Sequence, residues 1–251
     1  MTVNISGATI SGGITLGDAV FPVTNGLVLS LDAGNTSSYS GSGTTWTDLS
    51  GNGNNGTLYN TPTYVSGSAG YIGFNGTNQY MQANIGTTSL NGDPSCTIEF
   101  VVQVPQNFSN AGFWGLGGAG QGLSFEGWAP TTNRIHFDMY DSTRLDTGVD
   151  YVLNTWYHVV WTKNGAGVET TNCRNYINNV QSTLTKTRTV TTGPALNTST
   201  AGVGTALGRI NGNADGFYAA ARIGVYRLYN RALSASEVYQ NFSSIKTRYG
   251  L

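Results

Sequence analysis

Short segments of alternating apolar and polar residues run through the chain from residue 26 onward. The clearest is CTIEFVVQV at 96–104. One face of this segment would carry Cys96, Ile98, Phe100, Val102 and Val104, and the other Thr97, Glu99 and Gln103. A period of two predicts a strand with one side in a core. Similar segments predict strands at 26–33, 134–140, 156–163 and 174–182.

Gly and Asn separate these segments. Asn52-Gly53, Asn75-Gly76 and Asn164-Gly165 are examples of repeated Asn-Gly steps. Because Asn-Gly suits the positive φ angles of type I′ turns, these steps predict hairpins and hence antiparallel sheets.

A helical pattern is convincing only near the C-terminus. Ser234 and Glu237 have the spacing of a capping box, and Leu233 and Val238 that of a hydrophobic staple. Gly250 suits the end of the helix. Many short strands and one late helix predict an all-β fold, an antiparallel two-sheet jelly-roll sandwich with one short C-terminal helix.

Composition excludes several classes of partner. The 251 residues have a net charge of −1, and only 10% of them are charged, so no basic surface for nucleic acid is expected. No apolar run is long enough to cross a membrane, and the N-terminus lacks the pattern of a signal peptide. Cys96 and Cys173 form no metal-binding pattern and are expected to be buried thiols.

Residues 1–25 differ from the rest, because Ile and Gly alternate there without Trp or Tyr. They are interpreted as an N-terminal attachment arm that adds a strand to a larger assembly, or as the first strand of the domain itself. The predicted division is therefore an arm at 1–25 and a β-sandwich domain at 26–251.

Seven segments in order resemble the concanavalin A-like lectin/glucanase superfamily, in its laminin-G-like (LamG) branch. They include GLVLSLDAGN at 26–35, TTWTDLSGNGNNGTLYN at 44–60, TWYHVVWTKNG at 155–165 and ARIGVYRLYNRAL at 221–233. The resemblance covers about residues 26–249. It implies two curved antiparallel sheets with loops that bind sugars or proteins, often beside calcium. The version of these segments in this chain also resembles virion proteins of tailed phages.

Hydrolysis is not expected. Glycosidases of this superfamily use closely spaced carboxylates on one strand, and none of the four Glu begins such a motif. The acidic stretch with Asp138, Asp141, Asp146 and Asp150 is interpreted as solvated turns. His136 and His158 lie in predicted strands without a nucleophile motif nearby.

Sugar sites combine an aromatic face with groups that hydrogen-bond to hydroxyls. Six residues in neighbouring segments could line such a patch: Trp114, Trp128, Arg134, Tyr140, Asp141 and Arg144. The alternative is that these aromatic side chains fill the core, as expected for Trp46, Trp156 and Trp161.

The loop DLSGNGNNGTL at 48–58 suits three roles: a metal site, a glycan contact or a tight turn. Asp48, Asn52 and Asn54 could supply the oxygen ligands of calcium. Relatives carry acidic residues, which could help to hold the ion, where this chain has Gly224 and Val225. The candidate calcium site of this chain therefore has a single carboxylate, that of Asp48. Asp48 is also expected to bind the backbone N–H groups of its own loop.

These observations predict a non-enzymatic phage virion protein with a lectin-like domain that binds host-surface or environmental glycans. Residues 1–25 would contact other virion proteins, and a homo-oligomer on the particle surface is expected. The alternative is a purely structural decoration protein that contacts neighbouring subunits and binds no sugar.

Overall fold

The computed structural model describes residues 20–85, 90, 95–107, 111–116, 125–129, 136–139, 143–189, 204–210 and 217–251. For 125–129, 138–139, 143 and 188–189 only the backbone is described. Most of the predicted arm, residues 1–19, lies outside these ranges.

The described part of the chain contains 17 strands and one helix. The strands are β1 Leu27–Asp32, β2 Thr45–Trp46, β3 Gly56–Tyr59, β4 Thr63–Val65, β5 Tyr71–Asn75, β6 Tyr80–Ala83, β7 Cys96–Gln103, β8 Ala111–Leu116, β9 Phe125–Ala129, β10 His136–Met139, β11 Thr143–Asp146, β12 Trp156–Lys163, β13 Cys173–Ile177, β14 Val180–Gln181, β15 Thr185–Thr189, β16 Thr205–Leu207 and β17 Ala220–Tyr229. The helix is α1, Ala235–Tyr249.

Two antiparallel sheets pack face to face. The back sheet has the order β14-β13-β12-β7-β17-β5-β4, with β1 also paired to β17. The front sheet has the order β15-β11-β10-β9-β8-β16-β6-β3-β2. Their inner faces meet in one large core that includes Trp46, Phe100, Trp161 and both cysteines. The predicted fold class is therefore confirmed.

The central strand β7 shows the predicted alternation, with Ile98, Phe100 and Val102 in the core. Its other face, however, is also buried, so that all eight residues of β7 are buried. The reason is that α1 packs on the outer face of the back sheet. Ile245 and Tyr249 contact Val101 and Val225 in a second apolar layer there.

Helix α1 begins and ends where the sequence predicts. Ser234 is its N-cap, with both hydrogen bonds of the capping box to Glu237, and Gly250 ends it with a φ of 69°. Arg231 donates two hydrogen bonds to Glu237 and holds the pKa of that carboxyl at about 2. In the part of the chain that the structure describes, no helix could cross a membrane.

Glu99, on the outer face of β7, is completely buried and lies at the centre of a polar network. Its Oε1 accepts a hydrogen bond from Arg227 Nη1 at 2.7 Å and lies 3.0 Å from His158 Nε2. Its Oε2 accepts one from Asn241 Nδ2 at 2.6 Å. Burial raises the pKa of Glu99, but Arg227, His158 and Asn241 outweigh burial, and the pKa is lowered. The ionised carboxylate therefore holds β7, β12, β17 and α1 together.

The same network holds residues 20–25, which the sequence assigned to the arm. Val23 is buried, its N–H donates to Asn241 Oδ1 at 2.8 Å, and its carbonyl accepts from the Tyr229 hydroxyl at 3.1 Å. Arg231 donates to the carbonyl of Asn25 at 2.9 Å. Residues 20–25 thus pack against the sandwich and its helix.

Two segments differ from the prediction. The segment at 174–182 is a hairpin of β13 and β14 and not one strand, because Asn178 and Asn179 both have positive φ, 49° and 66°. Such a pair suits a type I′ turn. Asn75-Gly76, predicted to be a hairpin turn, instead leads from β5 in the back sheet to β6 in the front sheet.

We expect Glu99→Gln to lower the free energy of unfolding by roughly 3–5 kcal/mol, because it leaves the buried charge of Arg227 uncompensated. Urea unfolding at neutral pH measures this. The matched control is Glu169→Gln, since Glu169 pairs with Lys186 at 2.7 Å but its side chain is 48% exposed. The control should lose less than about 1 kcal/mol. Equal losses would contradict the special role of Glu99.

The lowered pKa of Glu99 also predicts a pH dependence. Its stabilising contribution is fully present above the ordinary value of 4.5 and is lost as the pH falls through the folded-state pKa. Urea midpoints of wild type and Glu99→Gln, measured from neutral to acid pH, should therefore converge below pH 4.5. A difference that stays constant over this range would refute the assignment.

Candidate functional site

The outer face of the front sheet carries a group of aromatic and polar side chains. In β3 and β6 the residues Leu58, Met81 and Ala83 point into the core. The alternate positions point outward, and register places Tyr59 opposite Tyr80 and Thr57 opposite Gln82. The two tyrosines therefore meet on the surface of the sheet.

We call Tyr59, Tyr80, Gln82, Arg209 and Tyr218 the tyrosine cluster. The rings of Tyr59 and Tyr80 stack with centroids 4.5 Å apart and planes at 9°. The Tyr218 ring lies 6.2 Å from that of Tyr80, and the Arg209 guanidinium lies 3.7 Å from the Tyr80 centroid. Tyr59 is 39% exposed and the others are half-buried. The cluster presents aromatic surface beside hydrogen-bonding groups.

Arg209 and Tyr218 reach this face from two neighbouring segments. Arg209 follows β16 and forms an antiparallel bridge with Tyr218, which precedes β17. Gly208, just before Arg209, has a φ of +81°, and a Cβ there would lie 2.8 Å from Phe74 Cγ. Only glycine fits this position, which directs the chain from β16 to the cluster.

The sequence did not lead us to this cluster, although it contained one signal. Tyr59 alternates with Leu58, and Tyr80 and Gln82 alternate with Met81 and Ala83, which marks an outward aromatic pair. No local pattern shows that the two strands are adjacent, or that Arg209 and Tyr218 lie beside them.

The prediction that Trp114 contacts a glycan is wrong. Trp114 is 1% exposed, and its indole Nε1 donates to the Tyr226 hydroxyl at 2.7 Å. Its ring stacks on Phe137 at 6.3 Å within the core. A bulge between Gly112 and Gly115 accompanies this inward position. Trp114 therefore joins the two sheets and offers no face to a ligand.

The other five predicted residues are only partly described. Arg134, Tyr140 and Asp141 lie outside the described residues. Trp128 is in β9, where its backbone pairs with Gly112 and His136. Arg144 is half-buried in β11. Successive cross-strand pairs connect it to Gln82 of the tyrosine cluster, through one residue on each strand between them: Asp138, Glu126, Gly115 and Ala206. Five strand spacings separate Arg144 from Gln82, or about 24 Å.

Asp48 organises the loop at 48–58. Its Oδ1 accepts hydrogen bonds from the backbone N–H groups of Ser30 at 2.8 Å and Ser50 at 2.9 Å. Its Oδ2 accepts from the Ser50 hydroxyl at 2.7 Å and the Asn54 N–H at 3.0 Å. Asp48 therefore binds backbone groups of its own loop, as predicted, and also fixes the loop to β1.

Asn52 and Asn54 direct their amide NH₂ groups to the Val28 carbonyl, at 3.1 and 2.8 Å. Both side chains line a pocket of about 250 Å³ beside Gly26 and Asn230. Within the described residues no three His, Cys, Asp or Glu side chains come together. A calcium ion at Asp48 would have to displace the donors that the carboxylate already accepts from, and calcium binding stays a prediction.

Two antiparallel sheets packed face to face, with one helix on the back sheet, define the chain as a β-sandwich protein. The chain belongs to the concanavalin A-like lectin/glucanases superfamily, because the Laminin_G_3 family model matches residues 75–239. No curated protein matches the sequence.

Solved structures share the fold at low sequence identity. A Trypanosoma rangeli sialidase in complex with 2,3-difluorosialic acid is 21% identical, with a TM-score of 0.63, over 97% of this chain and 35% of the sialidase. The binding domain of Paraclostridial mosquitocidal protein 1 is 20% identical, with a TM-score of 0.60, over 88% of this chain and 52% of that one. This chain thus spans about a third of the sialidases that it matches.

A third structure has nearly the same extent as this chain. Domain 4 of a GH43 extracellular arabinanase from Geobacillus stearothermophilus, in complex with arabinotriose, is 18% identical, with a TM-score of 0.56. The match covers 84% of this chain and 96% of that domain. At these identities the likeness establishes the fold alone.

The Asp48 loop yields a test that separates a structural carboxylate from a metal ligand. We expect Asp48→Asn to lower the free energy of unfolding by at least about 2 kcal/mol, because the N–H and hydroxyl groups that donate to the Asp48 carboxylate lose a charged acceptor. Thermal melts in calcium and in EDTA test the metal. A rise of the melting temperature with calcium in wild type but not in Asp48→Asn would establish a calcium site, since a ligand of the native state stabilises it. No rise in wild type would remove calcium from the loop.

Proposed function

We propose that this protein is a non-enzymatic glycan-binding module and that the tyrosine cluster is its binding surface. The observation that carries the proposal is the stacked Tyr59–Tyr80 pair on the outer face of the front sheet, with Arg209 over Tyr80. An aromatic ring packs against the apolar face of a sugar, while nearby amides, hydroxyls and guanidinium groups bind its hydroxyls.

The difference between the two sheets supports this location. The outer face of the back sheet is occupied by α1, which buries Val101 and Val225. Tyr59, in contrast, is 39% exposed on the front sheet. The arabinanase domain, which matches over 96% of its length, was solved with arabinotriose, and another neighbour is named as a binding domain, which favours a binding role.

The positions of the glutamates favour binding over hydrolysis. Most glycosidases use two Asp or Glu carboxyl groups about 5–10 Å apart across the scissile bond, whereas sialidases use a tyrosine nucleophile. Glu99 is completely buried, Glu237 is bound by Arg231 in the helix cap, and Glu169 pairs with Lys186. The side chain of Glu126 is not described. These pairs give three of the four Glu structural roles.

The virion location and the contacts of residues 1–25 stay predictions. If the module sits on a particle, glycan binding through the front sheet would serve adhesion. The alternative, a decoration protein without a sugar ligand, requires that the tyrosine cluster bind no glycan.

We expect Tyr59→Ala and Tyr80→Ala each to weaken glycan binding, because Tyr59 is the exposed ring of the pair and Tyr80 holds both Tyr59 and Arg209 in place. Stacking of this kind contributes on the order of 1 kcal/mol or more per ring, so Kd should rise about fivefold or more. A glycan array, followed by calorimetry on the best ligand, measures this.

Tyr239→Ala is the matched control, because Tyr239 is 54% exposed but lies on α1, away from the front sheet. Trp128→Ala and Arg134→Ala, in the same assay, test the surface predicted from sequence. Binding that survives both cluster variants would contradict the proposed surface. An array without any binding would favour the decoration protein.

A further inference from the structure

We propose that the tyrosine cluster takes an acidic saccharide and that Arg209 binds its carboxylate or sulfate group. This assignment rests on the proposed glycan-binding function and names the class of ligand for the same surface. It follows from the chemistry around the Arg209 side chain.

Arg209 differs from three other arginines of the described residues, which form ion pairs. Arg227, Arg231 and Arg248 form ion pairs with Glu99, Glu237 and Asp32, at 2.7, 2.6 and 2.7 Å. Arg209, across the described ranges, has no carboxylate partner. Its Nη2 donates to the neutral Gln82 Oε1 at 3.3 Å, and its charge lies over the Tyr80 ring.

The guanidinium also keeps unused hydrogen-bonding capacity. A guanidinium has five N–H donors in one plane. Nε of Arg209 is buried without an acceptor among the described residues, and Nη2 has the single long bond to Gln82. A half-buried cation with donors to spare is a site for a planar anion, because the fork of Arg matches a carboxylate.

Tyr80 fixes Arg209 in this position. The guanidinium lies 3.7 Å from the centroid of the Tyr80 ring. The same ring stacks against Tyr59. Because the Arg209 guanidinium is already held against Tyr80, its side chain loses less conformational entropy when a ligand binds. Aromatic surface for a sugar ring and a cation for its acidic group therefore lie within one cluster.

The test compares matched ligands on the wild-type protein. A glycan array with neutral, carboxylated and sulfated glycans identifies the ligands. Each acidic ligand is then compared with its methyl ester or desulfated form, which keeps the sugar and removes the charge. We expect Kd to rise roughly 10- to 100-fold without the charge, as for a lost charge-assisted bond. Affinity should also fall with added salt.

The matching variants are Arg209→Gln and Arg222→Gln. Arg222 also has neutral partners, Gln103 and Asn154, and lies 5.7 Å from the Tyr71 ring, but it is on the back sheet. Arg209→Gln should weaken acidic ligands as much as removal of their charge does, so that this variant binds an acidic ligand and its neutral form with the same Kd. Arg222→Gln should leave both unchanged. Thermal melts of each variant confirm that it is folded.

The outcomes separate the two proposals. Neutral glycans that bind through Tyr59 and Tyr80, with no preference for acidic forms and no effect of Arg209→Gln, would overturn the acidic ligand and leave the binding function intact. Binding that is independent of Tyr59 and Tyr80, or absent from the whole array, would overturn both. The comparison of methyl ester and acid on wild type decides whether the ligand is acidic even if Arg209→Gln does not fold, and Arg209→Lys, which keeps the charge but not the planar fork, then tests the residue.

Discussion

The buried carboxylate of Glu99 is the interaction on which the arrangement of the molecule depends. It receives hydrogen bonds or close contacts from three elements, through Arg227 on β17, His158 on β12 and Asn241 on α1. A buried charge is tolerated only when it is paired and its oxygens are satisfied, so these elements must occupy one relative position. The helix is therefore fixed by a polar network as well as by the apolar contacts of Ile245 and Tyr249.

This constraint gives the two sheets different roles. Because α1 lies on the back sheet, the part of the outer face around Val101 and Val225 becomes a second interior. The front sheet keeps an outer face where tyrosines remain partly exposed. Tyr226 links the two roles across the core, since its hydroxyl contacts Trp114 of β8 and Thr205 of β16. Arg209 follows β16 in the chain, so the core contact also positions the strand that leads into the tyrosine cluster.

The features that could be predicted from sequence are those encoded within a few residues. Alternation defined β7, and the spacing of Ser234, Glu237 and Gly250 defined the helix. Pairings over long distances in the chain could not be predicted. Glu99 alternates with apolar residues like any solvated position, and its partner Arg227 is 128 residues away. Trp114 looked available because its partner Tyr226 is equally remote in sequence, at a separation of 112 residues.

The candidate site illustrates the same limit and also shows what a sheet contributes to binding. Each tyrosine of the stacked pair is placed by a strand whose neighbouring side chain is buried: Leu58 next to Tyr59, and Met81 next to Tyr80. The register of β3 and β6 brings the rings together, and the bridge between Arg209 and Tyr218 adds the cation. The platform is thus set by backbone pairing and core packing, so the glycan that we propose would order few side chains on binding. Asp48 contributes to this rigidity from a distance, because the loop that it ties to β1 leads directly into β3. A carboxylate that fixes a loop in this way supports the site through the backbone, and this role requires no metal ion.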